Sequence, residues 1–149
     1  LAHRAQHGYR IKTTLRVAEV AAACNLIVTT TPAKNALLTD EQIRPGTHIT
    51  AMGSDTHEKN ELAPAILKRA DIIVADSIDQ SHARGEIFQA RRAGAISDDR
   101  VVELGKVITD DSLVRTADKQ ITVADLTGVA IQDIQICKIV TRALESSPQ

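Results

Sequence analysis

The stretch Thr47–Leu62, THITAMGSDTHEKNEL, decides the fold. It opens as an apolar, β-branched strand and turns at Gly53. Asp55 and Lys59 then fall where the pattern predicts the start of a helix. In an open α/β sheet, ligands bind at the carboxyl ends of the strands, so a carboxylate and an ammonium at this point are placed for chemistry. Four residues apart, the two would project from neighbouring turns of one helix face. Asp55 followed three positions later by Glu58 is also the pattern of a capping box. The two roles are compatible, since a carboxylate that caps a helix can also face a ligand.

Similar units lie on both sides. Leu26–Thr30 (LIVTT) is a continuous β-branched run, the signature of a parallel strand covered on both faces. Asp71–Ala75 (DIIVA) repeats it, with Asp76 at its carboxyl end, and Ile121–Leu126 (ITVADL) is the last strand, turning at Thr127-Gly128. Helical spacing fills the gaps. It runs through Val17, Val20, Ala21 and Cys24 after a Thr14 cap, and through Leu62, Ile66 and Leu67, with Pro64 tolerable only near a helix start. A further helix is predicted through Ile78, His82, Ile87 and Phe88, with Gly85 a soft spot inside it and Gly94 its end. Ile96–Ile108 reads as one amphipathic helix interrupted by Gly105. A short helix capped by Thr39 or Asp40 ends at Pro45-Gly46, and a last helix packs Ile131, Ile134, Cys137, Val140 and Leu144. Leu1–His7 reads as the tail of a helix closed by Gly8, and Tyr9–Lys12 as an edge strand. Strands alternating with helices imply a parallel sheet of right-handed crossovers.

The totals set bounds. At 149 residues the chain suits one domain with a sizeable core. One Tyr, one Phe and no Trp leave the core to Val, Ile, Leu and Ala, and exclude base stacking on aromatic platforms. A formal net charge of −1 gives no electrostatic footprint for nucleic acid or a membrane surface. No apolar run approaches a membrane span. Cys24 and Cys137 lie far apart in apolar stretches and read as buried thiols, which fits a reducing cytoplasm. None of the seven glycines forms a G-x-G-x-x-G turn between a strand and a helix. A whole dinucleotide fold would open with that turn and then supply an acidic residue for the ribose. The expected fold is therefore α/β, a partial Rossmann-like parallel sheet with flanking helices that lacks the first strands and the Gly-rich turn. The chain, which starts at Leu1, reads as a piece of a longer protein.

Taken in order, VTTTPAKNALLTDEQIRPGTHITAMGSDTHEKNEL, ADIIVADS, GEI, VVELGKVI and ITVADLTGVAIQD resemble the ornithine cyclodeaminase and mu-crystallin family, from about Leu26 to Asp133. The resemblance implies residues 1–125 as part of an NAD(P)-binding Rossmann domain. It implies 126–149 as a helix returning toward a second domain that binds substrate and forms a homodimer. The family's G-A-D-x-x-G-K-x-E-L segment matches Gly53 through Leu62. That match implies Asp55 as catalytic acid/base and substrate contact, and Lys59 as a cofactor contact. The backbone of Ile49, Thr50, Ala51 and Met52 would pass beside the nicotinamide ribose. Thr29 and Leu126 would touch the cofactor, and Thr127 the substrate. Two positions depart from the family pattern: Glu58 stands for a usual Gly, and Leu126 for a frequent Ser. The form ADLTG is similar to members associated with ectoine breakdown.

The activity this implies is conversion of ornithine to proline and ammonia by internal hydride cycling on NAD, with NADP an alternative. Hydride leaves the α-carbon, the side-chain amine attacks the resulting imine, ammonia departs, and the cyclic imine is reduced. Asp55 would take a proton from an ammonium to free the attacking amine. Burial would raise its pKa and Lys59 would lower it. The same scaffold could reduce a ketimine or cyclic imine, oxidise alanine, or serve as a mu-crystallin-like binding protein. Single sheets of this kind also build ligand-binding modules of other classes.

Other polar residues read more plainly. His57 has no Cys or His at metal spacing, no metal site is expected, and His48 and His82 read as structural. Arg91-Arg92 reads as a solvated helix end. Asp76-Ser77 is a helix cap that could reach a cofactor. Glu86 reads as structural, and Asp125 as a cap or an orienting group for Thr127. Glu103 has no assigned role.

Overall fold

The computed structural model describes residues 11–145. The helix end expected over Leu1–His7 and the first half of the edge strand expected over Tyr9–Lys12 lie outside them. Within them, Ile11 and Lys12 form no strand. Five strands, β1 (Leu26–Thr29), β2 (His48–Ala51), β3 (Ile72–Ala75), β4 (Val101–Glu103) and β5 (Thr122–Asp125), form one sheet in the order β1-β2-β5-β3-β4. Every pairing is parallel. The α/β parallel sheet with flanking helices is thus as the sequence predicts.

The register explains the core. Ile27, Ile49, Val123, Ile73 and Val101 lie side by side in one row across all five strands. All five are buried, under Leu62, Ile66 and Leu67 from one flanking helix and the residues just before it, and Ile87 and Ala90 from another. Here α1 is Val17–Ala23, α2 Pro64–Arg69, α3 Gly85–Arg92, α4 Leu104–Thr109 and α5 Ala130–Glu145. Two residues further along each strand the next row reads Thr29, Ala51, Asp125, Ala75 and Glu103. That row closes the carboxyl edge. Small alanines alternate with polar side chains there, and the polar groups meet the loops above.

Four local expectations need correction. The helix does not begin near Asp55: residues 53–61 are loop, and α2 starts with Pro64 at its first turn, where a missing N–H costs nothing. Gly85 is not a soft spot inside a helix. The chain breaks after a 3₁₀ turn at Gln80–His82, and Gly85 opens α3 with φ +92°. A Cβ on Gly85 would overlap the Asp125 carboxylate, which sits there because it caps the helix. Ile96–Ile108 is not one helix, because Val101–Glu103 pairs with β3 and only Leu104–Thr109 is helical. The local pattern reads as helical, and pairing with β3 overrides it. Finally, α5 does not pack its apolar residues. Ile131, Ile134, Val140 and Leu144 are 48–72% exposed, and Cys137 is exposed too, so the expectation of two buried thiols does not hold for it.

The sheet's other face is covered unevenly. Against it, α4 and residues 111–115 leave a cleft of about 300 Å³ walled by Ile72, Val74, Val107 and Leu113. On the β1 side Leu26 and Val28 are more than half exposed, so β1 is covered on one face only. No helix among the described residues is long and apolar enough to cross a membrane.

The two glycines after and before α3 provide a test. Gly85→Ala should cost about 2 kcal/mol or more, from its left-handed backbone plus the overlap with Asp125. Gly94→Ala, at φ +66° with open space around it, should cost only about 1 kcal/mol. Denaturant titration of both variants checks the ordering.

Candidate active site

At the carboxyl edge the chain leaves the sheet in loops, and the donors of those loops must be satisfied away from the ladder. Glu61, fully buried, does this for two of them. Its Oε1 accepts from the Thr31 N–H at 2.6 Å and the Thr31 hydroxyl at 2.8 Å. Its Oε2 accepts from the Thr29 hydroxyl at 2.6 Å and the Gly53 N–H at 2.9 Å. One carboxylate thereby joins the ends of β1 and β2.

Glu86, in the first turn of α3 and equally buried, holds the rest of the loop. It accepts from the Glu61 N–H at 2.7 Å, the Leu62 N–H at 2.9 Å and the Ser54 hydroxyl. Burial pushes its carboxyl above the ordinary range, against the pull of those donors. From α3, Gln89 also donates to the carbonyls of His57 and Lys59. Asp125 at the end of β5 completes the chain of support by accepting from the Ile87 N–H at 2.8 Å, which caps α3. Burial pushes Asp125 up to about 7, and the neighbouring Glu86 and Asp76 carboxylates push the same way.

Between these fixed points Asp55 stands outward, its side chain 56% exposed, and its Oδ1 meets Lys59 Nζ at 2.5 Å. The hydrogen bond from Lys59 holds its carboxyl below the ordinary range, with the Arg84 guanidinium adding to the effect. The competition between burial and Lys59 is thus decided for Lys59, and Asp55 stands as an ionised carboxylate suited to hold a cation, with its basicity reduced as long as Lys59 pairs with it. Asp55, Met52, Leu126 and Thr127 line one cleft of about 240 Å³ with Gly128 and Gln132. Residues from two separate strand ends therefore converge. The Thr127–Gly128 turn is fastened by Asp76, which accepts from the Thr127 hydroxyl at 3.2 Å and the Gly128 N–H at 2.8 Å.

The remaining expected positions stand elsewhere. The Thr29 hydroxyl is engaged by Glu61, Ile49 and Ala51 are buried in the core, and Thr50 lies on the opposite face with its hydroxyl 3.0 Å from His48 Nε2. Of these strands, backbone rather than side chains reaches the edge. Glu103 acquires a role: it accepts from the Ile78 N–H at 3.3 Å, steadying the turn after β3. Gln132 carried no sequence signal, and Gly128 only that of a turn. Glu61 did, as the Glu of the matched segment, but nothing local marks it as buried. Among the described residues, no group of three or more His, Cys, Asp or Glu could hold a metal ion.

Asp125 generates a pH prediction. Between about pH 4 and 7 an unfolded chain loses this proton while the native one keeps it, so stability falls as pH rises, by up to about 1.4 kcal/mol per pH unit. Asp125→Asn should flatten that dependence, leaving the smaller part of the same sign that Glu86 contributes. Denaturant titrations of both proteins from pH 4 to 8 test it.

Comparison with known proteins places this geometry. The sequence profile of the ornithine cyclodeaminase/mu-crystallin family matches residues 1–147. An uncharacterized cyclodeaminase of Sinorhizobium fredii is 40% identical over 141 residues, covering 94% of this chain and 43% of that protein. Among solved structures, an archaeal alanine dehydrogenase dimer with bound NAD superposes with TM-score 0.82 at 35% identity, over 93% of this chain and 43% of the other. The iminosuccinate reductase of Paracoccus denitrificans in complex with NAD+ gives TM-score 0.84 at 36% identity, over 95% and 43%. The chain spans about two fifths of the length of the curated relatives it matches.

Proposed function

The chain belongs to the ornithine cyclodeaminase/mu-crystallin family, and from that premise we propose that it supplies the carboxyl-terminal share of an NAD-dependent active site acting on a small amino acid or cyclic imine. The observation that carries the proposal is the convergence of Met52, Asp55, Leu126 and Thr127 on one cleft at the carboxyl edge of a parallel sheet.

The residues present fit the nicotinamide end of the cofactor. Met52 and Leu126 offer an apolar wall to a flat ring, and Lys59 beside Asp55 offers a cation. They do not supply the pyrophosphate end, since no Gly-rich turn occurs in the sequence. NAD, when bound, takes and returns hydride. The protein's part is proton transfer and orientation. Asp55 accepts a proton from a substrate ammonium, which frees a nitrogen lone pair. Lys59 keeps the carboxylate ionised until then. Thr127, held by Asp76, orients the substrate.

The specific reaction we propose is ornithine cyclodeamination to proline and ammonia. A second reading, oxidation of an amino acid or reduction of an imine, is supported by the likeness to an alanine dehydrogenase and an iminosuccinate reductase. On either reading residues 1–125 belong to the dinucleotide domain, and 126–149 return to a second domain that binds substrate and forms a homodimer in the cytoplasm.

The whole protein carrying these residues should turn over one of ornithine, alanine or a cyclic imine with NAD(H). Asp55→Asn should lower turnover about 10²- to 10⁴-fold while NAD affinity, read by calorimetry, changes little. An Asn variant with near-normal turnover would end the proposal.

A further inference from the structure

Glu61 has no part in the proton transfer proposed above, yet its side chain is heavily engaged at the carboxyl edge. Four donors from three residues converge on its two oxygens. Two of the four are backbone N–H groups, one on each oxygen: Thr31 on Oε1 and Gly53 on Oε2. Hydroxyls can rotate to donate or accept, but an N–H can only donate. Both oxygens must therefore be acceptors. A glutamine of the same shape would turn its NH₂ group against one of the two N–H groups whichever way it is flipped. Gly53 belongs to the same device, because a Cβ there would overlap both the Thr31 carbonyl oxygen and the Glu61 carboxylate.

Gly53 stands two residues before Asp55. With its N–H fixed by Glu61 and the Ser54 hydroxyl fixed by Glu86, the chain enters position 55 along one path. At the far side Glu61 itself, two residues after Lys59, ties the other end of the same loop into the core. We propose that Glu61 is a positioning residue for the reaction: its carboxylate sets the Gly53–Lys59 loop so that Asp55 and Lys59 meet over the cleft. The proposal rests on the active-site reading above for its link to turnover, while its structural half stands without it.

Two arms test it, and they separate the two claims. In the first, by NMR on the whole protein that carries these residues, the Gly53 and Thr31 amides of the wild type should exchange with solvent as slowly as those inside β2. In Glu61→Gln both amide resonances should move. The Asp55 carboxyl, which Lys59 and Arg84 face, should then titrate closer to an ordinary aspartate as the pair loosens. Open-loop exchange in the wild type, which needs no variant to fold, would overturn the proposal. In the second arm, turnover by the whole protein should follow the order Glu, Asp, Gln at position 61. Gln should fall about 10- to 100-fold in kcat with KM nearly unchanged. A space-filling role predicts the reverse for the last two, since Gln is the isostere, and Gln matching or exceeding Asp would overturn the proposal. A wild type that turns over none of the substrates while the NMR arm holds would overturn the functional reading and leave the positioning of the loop by Glu61 supported.

Discussion

Backbone N–H groups that leave a parallel sheet at its carboxyl edge lose their ladder partners just where a ligand site has to be built. In this chain two buried carboxylates replace the ladder. Glu61 accepts from Thr31 and Gly53, and Glu86 from Glu61 and Leu62, so a ten-residue excursion with little regular structure is fixed at both ends. Burying a carboxylate is costly in itself, and an unpaired one would simply take up a proton. Each of these is surrounded by donors instead, and hydrogen bonds to a charged acceptor are about twice as strong as neutral ones. Each net gain is small, but truncating either acceptor would strand several buried donors, at about 1–3 kcal/mol for each.

The supports are serial. Asp125 ends β5 and caps α3, α3 carries Glu86, Glu86 holds the loop, and the loop presents Asp55. Gly85 and Gly53 are needed for the same reason, since each gives room to a carboxylate that a Cβ would displace. The exposed, titrating group at the end of this line contrasts with the buried groups along it. Lys59 pulls Asp55 down and keeps it ionised, while burial pushes Glu86 and Asp125 up. The opposite shifts have different causes, the Lys59 hydrogen bond at exposed Asp55 and burial at Glu86 and Asp125. They separate a group free to exchange protons with a ligand from groups that hold backbone.

Much of this was legible in the sequence for a physical reason. Strands of a parallel sheet are rich in apolar and β-branched residues, so LIVT, HITA, IIVA and TVAD announce themselves as strands, although β1 is covered on one face only, and Pro64 could only stand at a helix start. Asp55 and Lys59 were legible because both the turn and the motif mark the strand's end. What was not legible depends on partners distant in sequence. Val101–Glu103 is a strand only because β3 offers it an edge. Gly85 opens a helix only because Asp125, forty residues later, occupies the space its Cβ would need. The importance of Glu61 comes from Thr29 and Thr31, thirty residues earlier, and a Glu two places after a Lys looks locally like any solvated helix pair.

The unburied apolar groups follow from the same architecture. Ile131, Ile134, Val140 and Leu144 of α5 are exposed, and Leu26 and Val28 are more than half exposed on β1, the edge of the sheet among the described residues. Large contiguous apolar surfaces mark places where another surface packs. An edge strand with unpaired N–H and C=O groups also invites another strand. On the proposed reading these surfaces and the missing pyrophosphate turn have one explanation. Further strands would extend the sheet beyond β1 and bring a Gly-rich turn up to the same carboxyl edge, and a second domain would pack on α5. The cleft around Asp55 would then be one wall of a crevice whose opposite wall binds the phosphates. The rigidity supplied by Glu61 and Glu86 would matter most there, because a carboxylate that had to meet a substrate held largely by another domain would have little chance to adjust.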